Sequence, residues 1–128
     1  MKANELRIGN YVQYPNLKKP IRVSFIDTTE TNTTRAQPIP LTEEWLLKFG
    51  FYFVIAINNR YLKDYGAFYF TIMIMNDDKS YQVSLSNHEK REGESIYVVG
   101  LGIIKHVHQL QNLYFALTGE ELEMLKLC

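Results

Sequence analysis

The sequence predicts an α+β fold: a strongly bent antiparallel sheet of about five to seven strands, one short helix in mid-chain and two helices at the C-terminus. Three observations carry this. Apolar residues alternate with polar ones, or run together in short strand-length blocks, over most of residues 7–104. Helical spacing of apolar residues is confined to 41–49 and to the stretch after 105. The opening strands carry an early Gly9-Asn10 turn, which suits a bent, partly barrel-like sheet.

Taken in order, Arg7 to Tyr14 reads as a short strand that Pro15 and Pro20 interrupt. Ile21, Val23 and Phe25 alternate with Arg22 and Ser24, a half-buried strand. The Thr- and Asn-rich stretch 28–37 reads as a loop. A helix over 41–49 follows, with Thr42 as N-cap, Glu43 and Glu44 in the first turn, Trp45, Leu46 and Phe49 buried, and Gly50 ending it. Residues 51–57 are apolar throughout, the pattern of a strand covered on both faces. Asn58-Asn59-Arg60 turns the chain. The longest strand is expected over 67–75, with Phe68, Phe70, Ile72 and Ile74 on one face. A hairpin loop at 76–80 leads to a strand in which Tyr81, Val83 and Leu85 oppose a wet face of Gln82, Ser84 and Ser86. After a charged loop at 87–95, Ile96 to Val99 and Ile103-Ile104 complete the sheet, with Gly100-Leu101-Gly102 as a bend or bulge.

A helix is predicted over 105–117, with Val107, Leu110, Leu113, Tyr114 and Leu117 as its core stripe. His108, Gln111, Asn112 and Phe115 lie off that stripe on a polar face. Thr118-Gly119-Glu120-Glu121 then reads as the start of a second helix, with Thr118 as N-cap and Glu121 closing a capping box.

At 128 residues the chain is read as a single domain over 1–128. The 14 basic and 14 acidic residues balance, so no strong global field draws the protein to nucleic acid or a membrane. Lys2, Arg7, Lys18, Lys19, Arg22 and Arg35 concentrate basic charge near the N-terminus, either a phosphate-binding surface or an ordinary solvated edge. The lone Cys128 forms no disulfide within the chain and suits a reducing cytoplasm. No signal peptide and no membrane-spanning helix are expected.

The sequence holds no cofactor motif and no convincing catalytic set. His106-Val107-His108 would share a metal on a strand, but on a helix the two rings diverge by roughly 200°. The paired carboxylates at Glu43-Glu44 and Glu120-Glu121 are explained as first-turn helix residues. The expectation is therefore a binding protein rather than a metal protein, with enzyme activity left open as an alternative.

Three blocks, Glu5-Leu6-Arg7-Ile8-Gly9-Asn10-Tyr11-Val12, the stretch Pro38 to Phe51 (PIPLTEEWLLKFGF) and the stretch Val107 to Leu122 (VHQLQNLYFALTGEEL), resemble short proteins of phages and prophages from gut Bacteroidota. The resemblance implies a genomic setting and the cytoplasm of a bacterial host. It implies no activity and no catalytic residues. Accessory proteins in that setting often act on host defence, some by sequestering nucleotide signals.

The combined expectation is an accessory protein that binds and sequesters a small nucleotide-like ligand. Its site is placed between the opening strands and the polar face of the 105–117 helix. Arg7 would pair with phosphate, Tyr11 or Tyr14 would stack a base, and His108, Gln111 and Asn112 would bond a base edge or ribose. Arg7→Ala and Asn112→Ala would then weaken ligand retention without changing Tm. The alternatives are a protein–protein module, including a homo-oligomer that blocks a host protein, and a hydrolase of a nucleotide signal that uses His106 or His108.

Overall fold

The alternating stretches pair into an antiparallel sheet in the structure, a computed structural model that describes residues 6–15, 17–23, 36–54, 60–66, 68–75, 80–87 and 98–125. The chain is α+β. Its contacts gather into two compact units, one of Met1–Leu41 with His106–Glu123, the other of Thr42–Lys105 with Met124–Cys128. The loops expected at 28–37, 58–60, 76–80 and 87–95, with His88 and Tyr97, lie wholly or partly outside the described residues.

The first unit opens with β1 (Tyr11–Val12) and β2 (Ile21–Arg22), paired antiparallel as Tyr11 with Arg22 and Val12 with Ile21. Gln13 and Gln37 extend this edge through two backbone hydrogen bonds of 3.0 and 2.7 Å. Leu6, Val12, Val23 and Ala36 form a small core beneath, with Tyr14 packed against it. These opening strands do not join the main sheet as expected; they form a two-stranded ladder of their own. Pro15 and Pro20, on either side of the connection, confine the pair to a few rungs.

The second unit begins with α1 (Glu43–Lys48), where Thr42 accepts from the Trp45 amide as the predicted N-cap. The sheet follows in the order β3 (Tyr52–Val54), β4 (Arg60–Tyr65), β5 (Phe68–Ile74), β6 (Tyr81–Asn87) and β7 (Val98–Ile104), each strand antiparallel to the next. Paired residues share a face, so Phe53, Tyr61, Ile72 and Val83 line one side. Tyr61, Phe70, Ile72, Tyr81, Val83 and Ile104 are buried there. Each large apolar side chain so buried contributes about 1.5–3 kcal/mol before entropy. Glu43 bonds Tyr61, and the Lys63 ammonium donates to the Phe49 carbonyl at 2.9 Å, which seats α1 over this face.

Three strands differ from expectation. β3 is an edge strand, and Tyr52 and Phe53 are exposed rather than covered on both faces. Cross-strand contacts account for its aromatic residues: Tyr52 donates to Asp64 at 2.9 Å, and the Phe53 ring sits 5.1 Å from that of Tyr61. β4 was not foreseen, because Lys63 and Asp64 interrupt its apolar pattern, and the same two charges are satisfied by α1 and β3. β7 is one strand through its glycines, with Val83 opposite Gly102 and Ser84 opposite Gly100. Leu101 is thus the extra residue of a β-bulge, and Gly102 has φ 122°.

In the first unit, α2 (Val107–Thr118) lies close to its predicted span. His106 is the N-cap, and its amide donates to the Gln109 side chain at 3.0 Å. The C-terminus corrects the prediction of a second helix. Residues 120–125 are not helical, and Gly119, at φ 73°, closes α2 with its amide bonded to the Phe115 carbonyl at 2.8 Å. Thr118 serves that same end, donating to the Tyr114 carbonyl at 2.8 Å and accepting from the Glu120 amide at 3.0 Å. A threonine before a glycine suits a helix end as well as a helix start, and the left-handed glycine decides it.

Candidate functional site

Burial on α2 takes in Val107, His108, Leu110, Gln111 and Tyr114, while Leu117 is exposed. The inward arc is therefore rotated from the apolar stripe toward the face that the sequence offers as polar. Its partner explains this. The turn at 7–10 is set by Asn10, whose side chain accepts from the Arg7 amide at 2.6 Å and whose own amide donates to the Arg7 carbonyl at 3.0 Å. Gly9 permits the turn with φ 99°. That turn and β1 present backbone groups that face away from β2, and these need partners if buried.

Gln111 supplies them. Its carbonyl oxygen accepts from the Tyr11 amide at 2.8 Å, and its amide donates to the Gly9 carbonyl at 3.1 Å. The side chain acts as one more peptide group, and it is fully buried at 0% exposure. Asn10, equally buried, donates to the Asn112 side chain at 2.8 Å. His108 is buried as well, and its ring stacks on that of His106 with centroids 5.8 Å apart. The two rings meet because His106 stands in extended conformation outside the helix, where the divergence of helical neighbours does not apply. Among the described residues no group of three or more His, Cys, Asp and Glu side chains is placed to hold a metal ion.

Two arginines mark the accessible edge of this network. The Arg7 guanidinium lies 4.2 Å from the centre of the Phe115 ring. It pairs with the Glu121 carboxylate and donates to the Gln111 backbone carbonyl at 3.2 Å. A Cβ on Gly9 would sit 3.3 Å from the same carboxylate, so the turn is fitted closely around Glu121. The Arg22 guanidinium lies 5.2 Å from the centre of the Tyr11 ring and pairs with Glu123 through contacts of 3.2 and 3.4 Å. Its Nε donates to the Gly9 carbonyl at 3.2 Å. Partial burial lowers the Arg22 pKa, but the Glu123 hydrogen bond and the charges of Tyr11, Glu123 and Glu121 outweigh it, and the net shift is upward.

The six residues singled out in the sequence thus lie in one unit, though not on one open face. Arg7 and Tyr11 stand at the partly exposed edge, and Asn112 is half-buried against Asn10. Gln111 and His108 are interior, and Tyr14 covers the small core. Sequence reasoning read Arg22 only as one of the basic residues near the N-terminus and gave Glu121 and Glu123 no part in the site. The signal was the Glu121-Leu122-Glu123 alternation, which in an extended segment turns two carboxylates to one side and buries the leucine between them. No protein-family model, curated protein or solved structure matches this chain.

Proposed function

We propose that this chain is a non-enzymatic binding protein that sequesters a small, anionic, nucleotide-like ligand, and that the ligand meets the edge formed by Arg7, Tyr11, Arg22 and Phe115. The resemblance to phage and prophage proteins makes a host defence signal the natural candidate. One observation carries the reading: two guanidinium groups each lie over an aromatic ring, Arg7 on Phe115 and Arg22 on Tyr11. Such a unit offers a bidentate donor for phosphate beside a surface on which a base can stack. Gln111, Asn10 and Asn112 support the edge from behind rather than touching the ligand. The test is to incubate the protein with a panel of nucleotide signals, remove free ligand, heat the complex and assay what is released. Intact ligand supports sequestration; altered ligand would instead make the chain a hydrolase.

A second reading, a protein–protein module or homo-oligomer, has its own observation. Among the described residues β7 carries no strand on its outer side and no charged side chain, and Val99 and Ile103 are more than half exposed. An apolar open edge is a template for pairing with another chain. Recovery of no ligand from the panel, together with a concentration-dependent mass in sedimentation, favours this reading over the first.

A further inference from the structure

The anion-binding edge already holds anions of the chain's own. Glu121 and Glu123 come from one short segment that follows α2, and each takes one of the two arginines. A carboxylate presents two oxygens to a guanidinium as a phosphate does, so the two ligands compete for the same donors. Leu122, buried between the glutamates, pins the segment. Among the described residues no backbone hydrogen bond holds 121–123. Between the Glu120 amide, bonded to the Thr118 hydroxyl at 3.0 Å, and the Leu125 amide, bonded to the Lys48 carbonyl at 2.7 Å, the segment itself is held by Leu122 and by two ion pairs whose members remain 26–60% exposed. Ion pairs of that exposure are weak and are screened by salt. Arg22 also feels the charge of Glu121 as well as that of Glu123, so the two pairs lie within one electrostatic neighbourhood.

We infer that residues 121–123 are a built-in competitor: Glu121 and Glu123 occupy in cis the guanidinium positions that an anionic ligand takes, and binding lifts the segment. This inference rests on the proposed anion-binding role of Arg7 and Arg22. It adds a threshold to that role, because an anion must outcompete two carboxylates before it reaches the guanidinium groups.

Pyrophosphate is the probe, followed by titration calorimetry in low-salt buffer. Removing both carboxylates by Glu121→Gln and Glu123→Gln should tighten pyrophosphate binding by about twofold to thirtyfold, the range that two exposed ion pairs convert to. Adding Arg7→Ala and Arg22→Ala to that variant should abolish the gain. The charge-matched variant Glu43→Gln with Glu44→Gln, which alters α1, should show none of it. Equal or weaker binding by the Glu121/Glu123 variant overturns the competitor while leaving the anion site intact. Absence of pyrophosphate binding in both proteins removes the anion site, and the competitor with it. A second measurement needs no substitution: saturating pyrophosphate should speed hydrogen exchange of the two hydrogen-bonded amides that flank the segment, Glu120 and Leu125, in the unmodified chain. Unchanged or slower exchange in the bound protein overturns the inference.

Discussion

Gln111→Met tests whether the inner face of α2 is structural. Methionine keeps the length and most of the volume of the side chain, so the change is one of hydrogen bonding rather than of packing. The Tyr11 amide loses an acceptor at 2.8 Å, in a place where the side chain that served it is fully buried. A buried donor left unsatisfied costs about 1–3 kcal/mol. The Gly9 carbonyl loses a donor at 3.1 Å but keeps the Arg22 Nε at 3.2 Å, so its loss falls near the ordinary net value of about 0.5–1.5 kcal/mol. Together these give a destabilisation of about 2–4 kcal/mol, a large part of the total for a domain of this size. Urea unfolding should show a lower midpoint, and the Tyr11 amide should exchange faster with deuterium than in the unmodified protein. A loss under about 0.5 kcal/mol, with Tyr11 exchange unchanged, would refute the reasoning and return Gln111 to the role of a ligand contact. Asn112→Ala extends the test. It removes the 2.8 Å bond from Asn10 and should cost about 1 kcal/mol, so the unchanged Tm expected from the sequence alone is revised.

Other expectations separate the two helix ends and the sheet edge. Gly119→Ala should destabilise by about 1–2 kcal/mol although a Cβ there meets nothing within 4 Å, because the cost lies entirely in the left-handed backbone at φ 73°; thermal unfolding checks it, and a neutral result would mean that α2 does not end there. Thr42→Ala should cost about 0.5–1 kcal/mol, toward the low end for an N-cap because the bond to the Trp45 amide is 3.4 Å long. Partial burial first, and the hydrogen bond and charge of Asp64 second, push the Tyr52 phenol up to about 12 from 10.0. A raised phenol pKa adds stability that is whole below pH 10 and is lost as pH rises toward 12. Ultraviolet titration of phenolate should show the late-titrating tyrosine move down in Asp64→Asn and move down less in Tyr69→Phe, because the Tyr69 charge is the smallest of the causes.

The sequence by itself determined the elements whose cause is local. α1 with its Thr42 cap, the long central strand, the bulge at Gly100-Leu101-Gly102 and the body of α2 follow from capping chemistry and side-chain period, and these are properties of neighbours in the chain, whereas Ser84, expected on a wet face of β6, is buried opposite Thr71. Where the same residues serve two local purposes, only the tertiary structure decided. Thr118-Gly119 fits a helix start or a helix end, and the docking of Glu121 and Glu123 on Arg7 and Arg22 belongs with the second. Lys63 and Asp64 look like loop residues until the Phe49 carbonyl and the Tyr52 hydroxyl appear beside them. The same holds for the candidate site. Juxtaposition of Arg7 and Tyr11 with the 105–117 helix was legible from residue types. The inward turn of Gln111 was not, because its partners are the backbone of Gly9 and Tyr11, whose need for a donor and an acceptor is written in the fold and not in any side chain.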